Sequence, residues 1–217
     1  MTSVSSALRA AAAPVWDASL AHPFVRGLGD GTLDETAFRS YIRQDYRFLI
    51  DYARLLSLGA ARAPRVEWMR RFAGLASSVL EIELSLHRAF AGRWGVSIAE
   101  LESERAAPAT AAYADFLLRV ASLGDFAELC AAVAPCMWGY AEIGVALAAS
   151  ATSDRYAEWI DMYASAEFGE LAAWSRSLLD EVDGDVERMT EAFVTSSEHE
   201  LRFWDAAAAP APRPAAG

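Results

Sequence analysis

The chain contains no lysine and no asparagine, and Gln44 is its only glutamine. All 19 basic residues are therefore arginine; 30 acidic residues oppose them, leaving a formal charge of −11 over 217 residues. Without lysine there is no Schiff-base nucleophile, no pyridoxal phosphate anchor and no phosphate-loop lysine. Histidine is scarce as well (His22, His87 and His199). The two cysteines, Cys130 and Cys136, are too few for a secreted disulfide framework and are not spaced as CxxC. They read as free thiols in a cytoplasmic protein. No basic stripe is present, and the acidic balance speaks against nucleic acid or an anionic membrane as partner. The longest apolar run, Leu129 to Ala141, contains Pro135 and is closed by Glu128 and Glu142, too short to span a bilayer. The first residues lack the charged start of a signal peptide, and none is expected.

Strand signals are nearly absent, since no run alternates apolar and polar residues. Helical spacing is visible almost everywhere, in a chain whose apolar content is 54%. The pattern predicts an all-α fold of about seven helices, roughly 5–20, 34–62, 65–92, 108–122, 125–150, 154–180 and 184–207. His22-Pro23 is expected to end the first, Gly27 to Gly31 to form a loop, and Thr32 with Glu35 to cap the second. One helical domain over 1–208 is expected, followed by a disordered Ala/Pro tail at 209–217.

In such a fold the informative residues are polar groups on stripes meant for the core. Asp45 lies on the stripe Phe38, Tyr41, Ile42, Phe48, Leu49, Tyr52. A carboxylate there needs donors: either a ligand or an internal ion pair, such as one with an arginine from another helix. Cys136 and Tyr140, four apart, share a face just after Pro135, which removes a helical hydrogen bond. Cys136 is either inert packing or a reactive thiol; Cys130 lies on another face and reads as filler. Glu200 sits among Phe193, Phe203 and Trp204, surroundings that raise a glutamate's pKa and suit it to proton transfer. Together Asp45, Cys136 and Glu200 describe a pocket with a thiol, a proton-transfer carboxyl and an anchoring carboxylate. Aromatic walls suit a flat heterocycle.

The ordered set His22-Pro-Phe-Val25, Asp30-Gly-Thr-Leu33, Tyr41-Ile-Arg-Gln-Asp45, Pro135-Cys136, Tyr140, Phe193-Val-Thr-Ser-Ser197, Glu200 and Phe203-Trp204 resembles the TenA (thiaminase II) family from about residue 7 to 205. The resemblance implies a haem-oxygenase-like helical fold, commonly a homotetramer, with no cofactor and no metal. It also implies hydrolysis that releases hydroxymethylpyrimidine from thiamin or from an aminopyrimidine breakdown product. Cys136 would add to the pyrimidine ring and Glu200 would protonate a ring nitrogen. Asp45 would bind the amino group, Tyr113, Tyr140 and Tyr163 would line the site, and Phe203 could pack on the ring. Phe48 stands where the family commonly has a tyrosine, so a hydroxyl is lost.

Two other readings compete. A non-catalytic pyrimidine-binding or regulatory relative would keep the pocket, and Phe48 favours it. A di-iron oxidase on the same scaffold would draw on Glu81, Glu83, His87 and Glu142. Against it, helix six offers no histidine, and His87 reads better as a satisfied interior residue.

Overall fold

The computed structural model describes residues 2–209, and the Ala/Pro tail from 210 onward lies outside them. Among the described residues the fold is all-helical, with no strand. It begins with three short helices, α1 (Val4–Ala11), α2 (Ala13–Leu20) and α3 (Pro23–Asp30). The long α4 (Glu35–Arg62) follows. Then α5 (Val66–Ser78) passes through a π-helical turn (Val79–Glu83) into α6 (Leu84–Arg93). After the small α7 (Ile98–Glu102) come α8 (Pro108–Leu123), α9 (Phe126–Ser150), α10 (Ala157–Tyr163), α11 (Ala166–Glu181) and α12 (Val186–Ala208).

The fold class agrees with the sequence, but the helices are more finely divided than seven. The first breaks at Ala12, the third passes through the π turn and the sixth breaks at Ala164 and Ser165, because periodicity reports a continuous apolar face and is blind to short joints within it. Gly27 and Gly29 lie inside α3, not in a loop; Pro23 starts that helix, and only Gly31, at φ 76, turns left-handed to end it. Thr32 does not cap α4. Its hydroxyl donates to Asp30, and Asp34 accepts from the amides of Thr36 and Ala37 instead. Reciprocal capping boxes occur at Ser97 with Glu100 and at Asp125 with Glu128.

Helix α9 is the axis of the bundle, packing against α8, α10, α11 and α12, while α4 packs on α5, α6 and α8. By length and composition α9 could cross a bilayer, yet 72% of its most apolar window is buried among the other helices. Its continuity through Pro135 places Cys136, Tyr140 and Gly144 one turn apart along the interior. Gly144 lets α10 approach: a β-carbon there would stand 2.4 Å from the carbonyl carbon of Tyr163. That contact seats Tyr163 against Tyr140, with ring centres 4.8 Å apart.

Gly144→Ala is expected to lower the unfolding free energy by about 1–3 kcal/mol through overpacking. Gly169→Ala, where nothing lies within 4 Å, should leave it unchanged or slightly higher. Urea titration of both variants checks this, and equal stability of the two would show that the α9–α10 approach is not tight.

Candidate active site

Asp45 is presented by α4 with only 3% of its surface exposed. Its partner is a histidine rather than an arginine: His87 Nε2 lies 2.7 Å from Asp45 Oδ2, and His87 is wholly buried. The other ring nitrogen, Nδ1, lies 2.8 Å from the carbonyl oxygen of Glu83. A carbonyl only accepts, so Nδ1 carries a proton; Nε2 faces a carboxylate and carries one too. The ring is therefore an imidazolium paired with Asp45. Burial disfavours that charge, but the hydrogen bond and charge of Asp45 outweigh it, and the His87 pKa stands above its ordinary value. Tyr41 also donates to Oδ2, at 3.1 Å, and is itself held by Trp159 Nε1. No hydrogen bond among the described residues reaches Oδ1, which is left for a ligand.

Glu200, on α12, is 8% exposed. Its Oε1 lies 2.7 Å from the Tyr113 hydroxyl, and that hydroxyl lies 3.0 Å from Ser196 Oγ. Ser196 donates to the carbonyl of Ala132, beside Pro135 on α9. Tyr113 donates to Glu200 Oε1, a bond that favours the carboxylate. Burial acts the other way and outweighs it, pushing the Glu200 pKa up to about 7.

Cys136 is partly exposed, whereas Cys130 is buried and its thiol is pushed by burial beyond the accessible range. Burial, then the charges of Glu200, Glu83 and Asp45, hold the Cys136 thiol well above its ordinary pKa, so it rests as S–H. The hydroxyl of Tyr52 pulls the other way by interacting with that sulfur. Cys136 opens on a cavity whose walls include Asp45, Phe48, Tyr140 and Tyr163. Tyr113 stacks on Phe48 at 4.8 Å, and Phe203 stands 6.0 Å from the same ring. Glu200 borders an adjoining cavity that shares Tyr140 with the first. The structure thus brings the eight residues expected at the pyrimidine site to one place, five of them on the cavity wall and Tyr113, Glu200 and Phe203 immediately behind it.

Two cavity residues were not assigned to this site from the sequence. Tyr52 looked like one more member of an apolar stripe, yet its buried hydroxyl has no hydrogen-bond partner within bonding geometry. It stacks on Phe48 with ring centres 5.6 Å apart, so a hydroxyl absent at Phe48 is present one helical turn later. Glu83, raised by burial to about 7, faces the same cavity from the π turn. The residues considered for di-iron do not converge. His87 has both nitrogens engaged, Glu142 pairs with Arg9, and Glu81 is exposed and held by Ser77. Among the described residues no group of three metal-ligating side chains comes together.

Fold and site together define a helical-bundle protein with an aromatic-walled cavity beside a cysteine. The chain belongs to the TENA/THI-4/PQQC family, which it matches over residues 9–209. It is 43% identical to an aminopyrimidine aminohydrolase of Halalkalibacterium halodurans, over 94% of this chain and 95% of that one. A crystal structure described as a TenA family transcription regulator, from a Silicibacter species, is 33% identical and superposes with a TM-score of 0.91, covering 95% of this chain and 97% of that one. A Shewanella denitrificans domain with a heme oxygenase-like fold reaches a TM-score of 0.73 at 15% identity, covering 93% of this chain and 90% of that one, a likeness of fold alone.

Replacing His87 by leucine strands the Asp45 charge, and an expected loss of about 3–5 kcal/mol would be read from urea unfolding. Because the folded-state pKa of His87 lies above its ordinary value of 6.5, the stability contributed by the pair is complete below that pH and fades as pH climbs through the raised value. An imidazole resonance titrating at or below 6.5 would contradict the pairing.

Proposed function

We propose that this protein is a C–N hydrolase of thiamin salvage, releasing hydroxymethylpyrimidine from an aminomethylpyrimidine or from thiamin. The observation that carries the reading is a partly exposed thiol on an aromatic-walled cavity with a carboxyl poised near neutrality directly beside its sulfur. The name of the Halalkalibacterium halodurans relative, an aminopyrimidine aminohydrolase, agrees with it.

A neutral pyrimidine is a poor electrophile, so addition of a thiol requires a proton on the ring. Glu200, with its pKa near 7, gives that proton to a ring nitrogen and is then a carboxylate beside Cys136 Sγ. It accepts the thiol proton as the sulfur bonds to the ring carbon. The proton circuit runs through one carboxyl, and no free thiolate has to persist in the buried site. Electron density returned by the ring expels the nitrogen on the side arm, and water takes its place at the methylene carbon. Reversal of the sulfur addition restores Cys136. Asp45 Oδ1 takes the ring's amino group, while Phe48, Tyr140 and Tyr163 wall the ring, with Tyr113 and Phe203 bracing Phe48 and Glu200 from behind.

The setting that fits this chemistry is cytoplasmic, where both thiols stay reduced. No cofactor, membrane or nucleic acid enters the reaction. A homotetramer is the expected assembly, and the exposed Val66, Ile82, Leu123 and Val145 offer apolar surface for contact between copies.

Incubation with thiamin and, separately, with 4-amino-5-aminomethyl-2-methylpyrimidine should yield hydroxymethylpyrimidine from at least one. Cys136→Ala should abolish that turnover, while Cys130→Ala should not; equal rates in both would remove the thiol mechanism. Glu200→Gln is expected to lower kcat by about 10²–10⁴ with little change in KM, the signature of a lost proton donor. An unchanged kcat would take that role away.

A further inference from the structure

The carboxyl of Glu83 faces the Cys136 cavity and makes no hydrogen bond or ion pair among the described residues. Each other charged group in the site is engaged: Asp45 with His87 and Tyr41, Glu200 with Tyr113. Burial and the nearby charge of Asp45 raise Glu83 to about 7, against the pull of His87, so near neutral pH a proton or a cation readily settles on it.

Its position along the pocket is equally specific. Glu83 borders both the cavity of Cys136 and a wider groove on the protein surface, and Leu75, Ser78, Phe168 and Leu171 are shared in the same way. It therefore stands where the inner chamber meets the outside. The groove beyond carries Glu167 and Glu170 against a single arginine, Arg71. A ring held by Asp45 at the inner end with its side arm directed towards this mouth would bring the leaving nitrogen beside Glu83.

We propose that Glu83 determines which side arms the site accepts, its carboxylate pairing with the positively charged nitrogen that will leave. Resting on the hydrolase reading above, this makes the recognised class a pyrimidine with a cationic arm, an alkylammonium or a thiazolium. The ammonium arm departs as neutral ammonia and the thiazolium as a neutral thiazole, each taking the electron pair of the broken C–N bond, so Glu83 gives up no proton in that step. The hydroxymethyl product carries no charge there and loses the pairing, which favours its release.

The test is calorimetric binding to the Cys136→Ser protein, which holds ligands without turning them over. At pH 8 the aminomethylpyrimidine should bind at least about tenfold tighter than its hydroxymethyl counterpart, the worth of a charge-assisted bond. Adding Glu83→Gln should erase that preference while leaving hydroxymethylpyrimidine binding in place, which also shows that the variant is folded with its ring site intact. A preference that survives Glu83→Gln, or that is missing from the parent, overturns the proposal alone. If neither pyrimidine binds the Cys136→Ser protein, the hydrolase reading falls and this inference falls with it.

Discussion

The buried pair of Asp45 and His87 is the constraint on which the site rests. It joins α4 to α6, and through His87 Nδ1 it also grips the backbone of the π turn at Glu83. A buried ion pair contributes little net stability compared with well-packed apolar side chains, because both charges must be desolvated. What it supplies here is position. With Oδ2 saturated by His87 and Tyr41, the carboxylate is locked and its Oδ1 faces the cavity. Tyr41 in turn anchors Trp159, on the short helix whose end carries Tyr163. One polar contact thus orients a binding carboxylate, an aromatic wall and the turn that bears Glu83.

Around that pair the site is built from carboxyls and hydroxyls, as a chain without lysine must build it. Two of its three carboxyls sit near neutrality because burial penalises their charge. Each can therefore change state at little cost. The hydroxyl chain from Glu200 through Tyr113 and Ser196 to the Ala132 carbonyl ties the state of one of them to the backbone of the helix that carries the thiol. Proton position on α12 and cysteine placement on α9 are consequently parts of one network.

Much of this was legible in the sequence, because polar residues on apolar stripes are conspicuous. Asp45, Cys136 and Glu200 each interrupt a helical face, and the structure brings all three together. The partner of Asp45 was not legible: His87 lies on a different helix, and an arginine was the more natural guess in a chain rich in them. Tyr52 was hidden for the opposite reason, since a tyrosine on a stripe looks like packing until its hydroxyl is found without a partner. Glu83 shares a π turn with Leu80 and Ile82, which face outward although apolar. Hydrophobicity there misreports which side is the interior. The finer helix boundaries were lost because short joints, such as Ala12 or Ala164 with Ser165, leave no mark on periodicity, and α3 was lost because its glycines read as a loop.

The high pKa of the Cys136 thiol reaches beyond turnover. Peroxide and simple alkylating agents react with thiolates, and sulfenic acid formation begins there as well. Held as S–H within a field of carboxyls, this sulfur is a poorer target for such reagents than an ordinary thiol, even though it borders a cavity. Under the mechanism proposed above, it becomes nucleophilic when a ring able to accept a proton from Glu200 lies against it. On that reading chemical selectivity is exercised before any bond forms, by what the site declines to ionise, and a covalent inhibitor would need a protonatable heterocycle rather than a stronger electrophile.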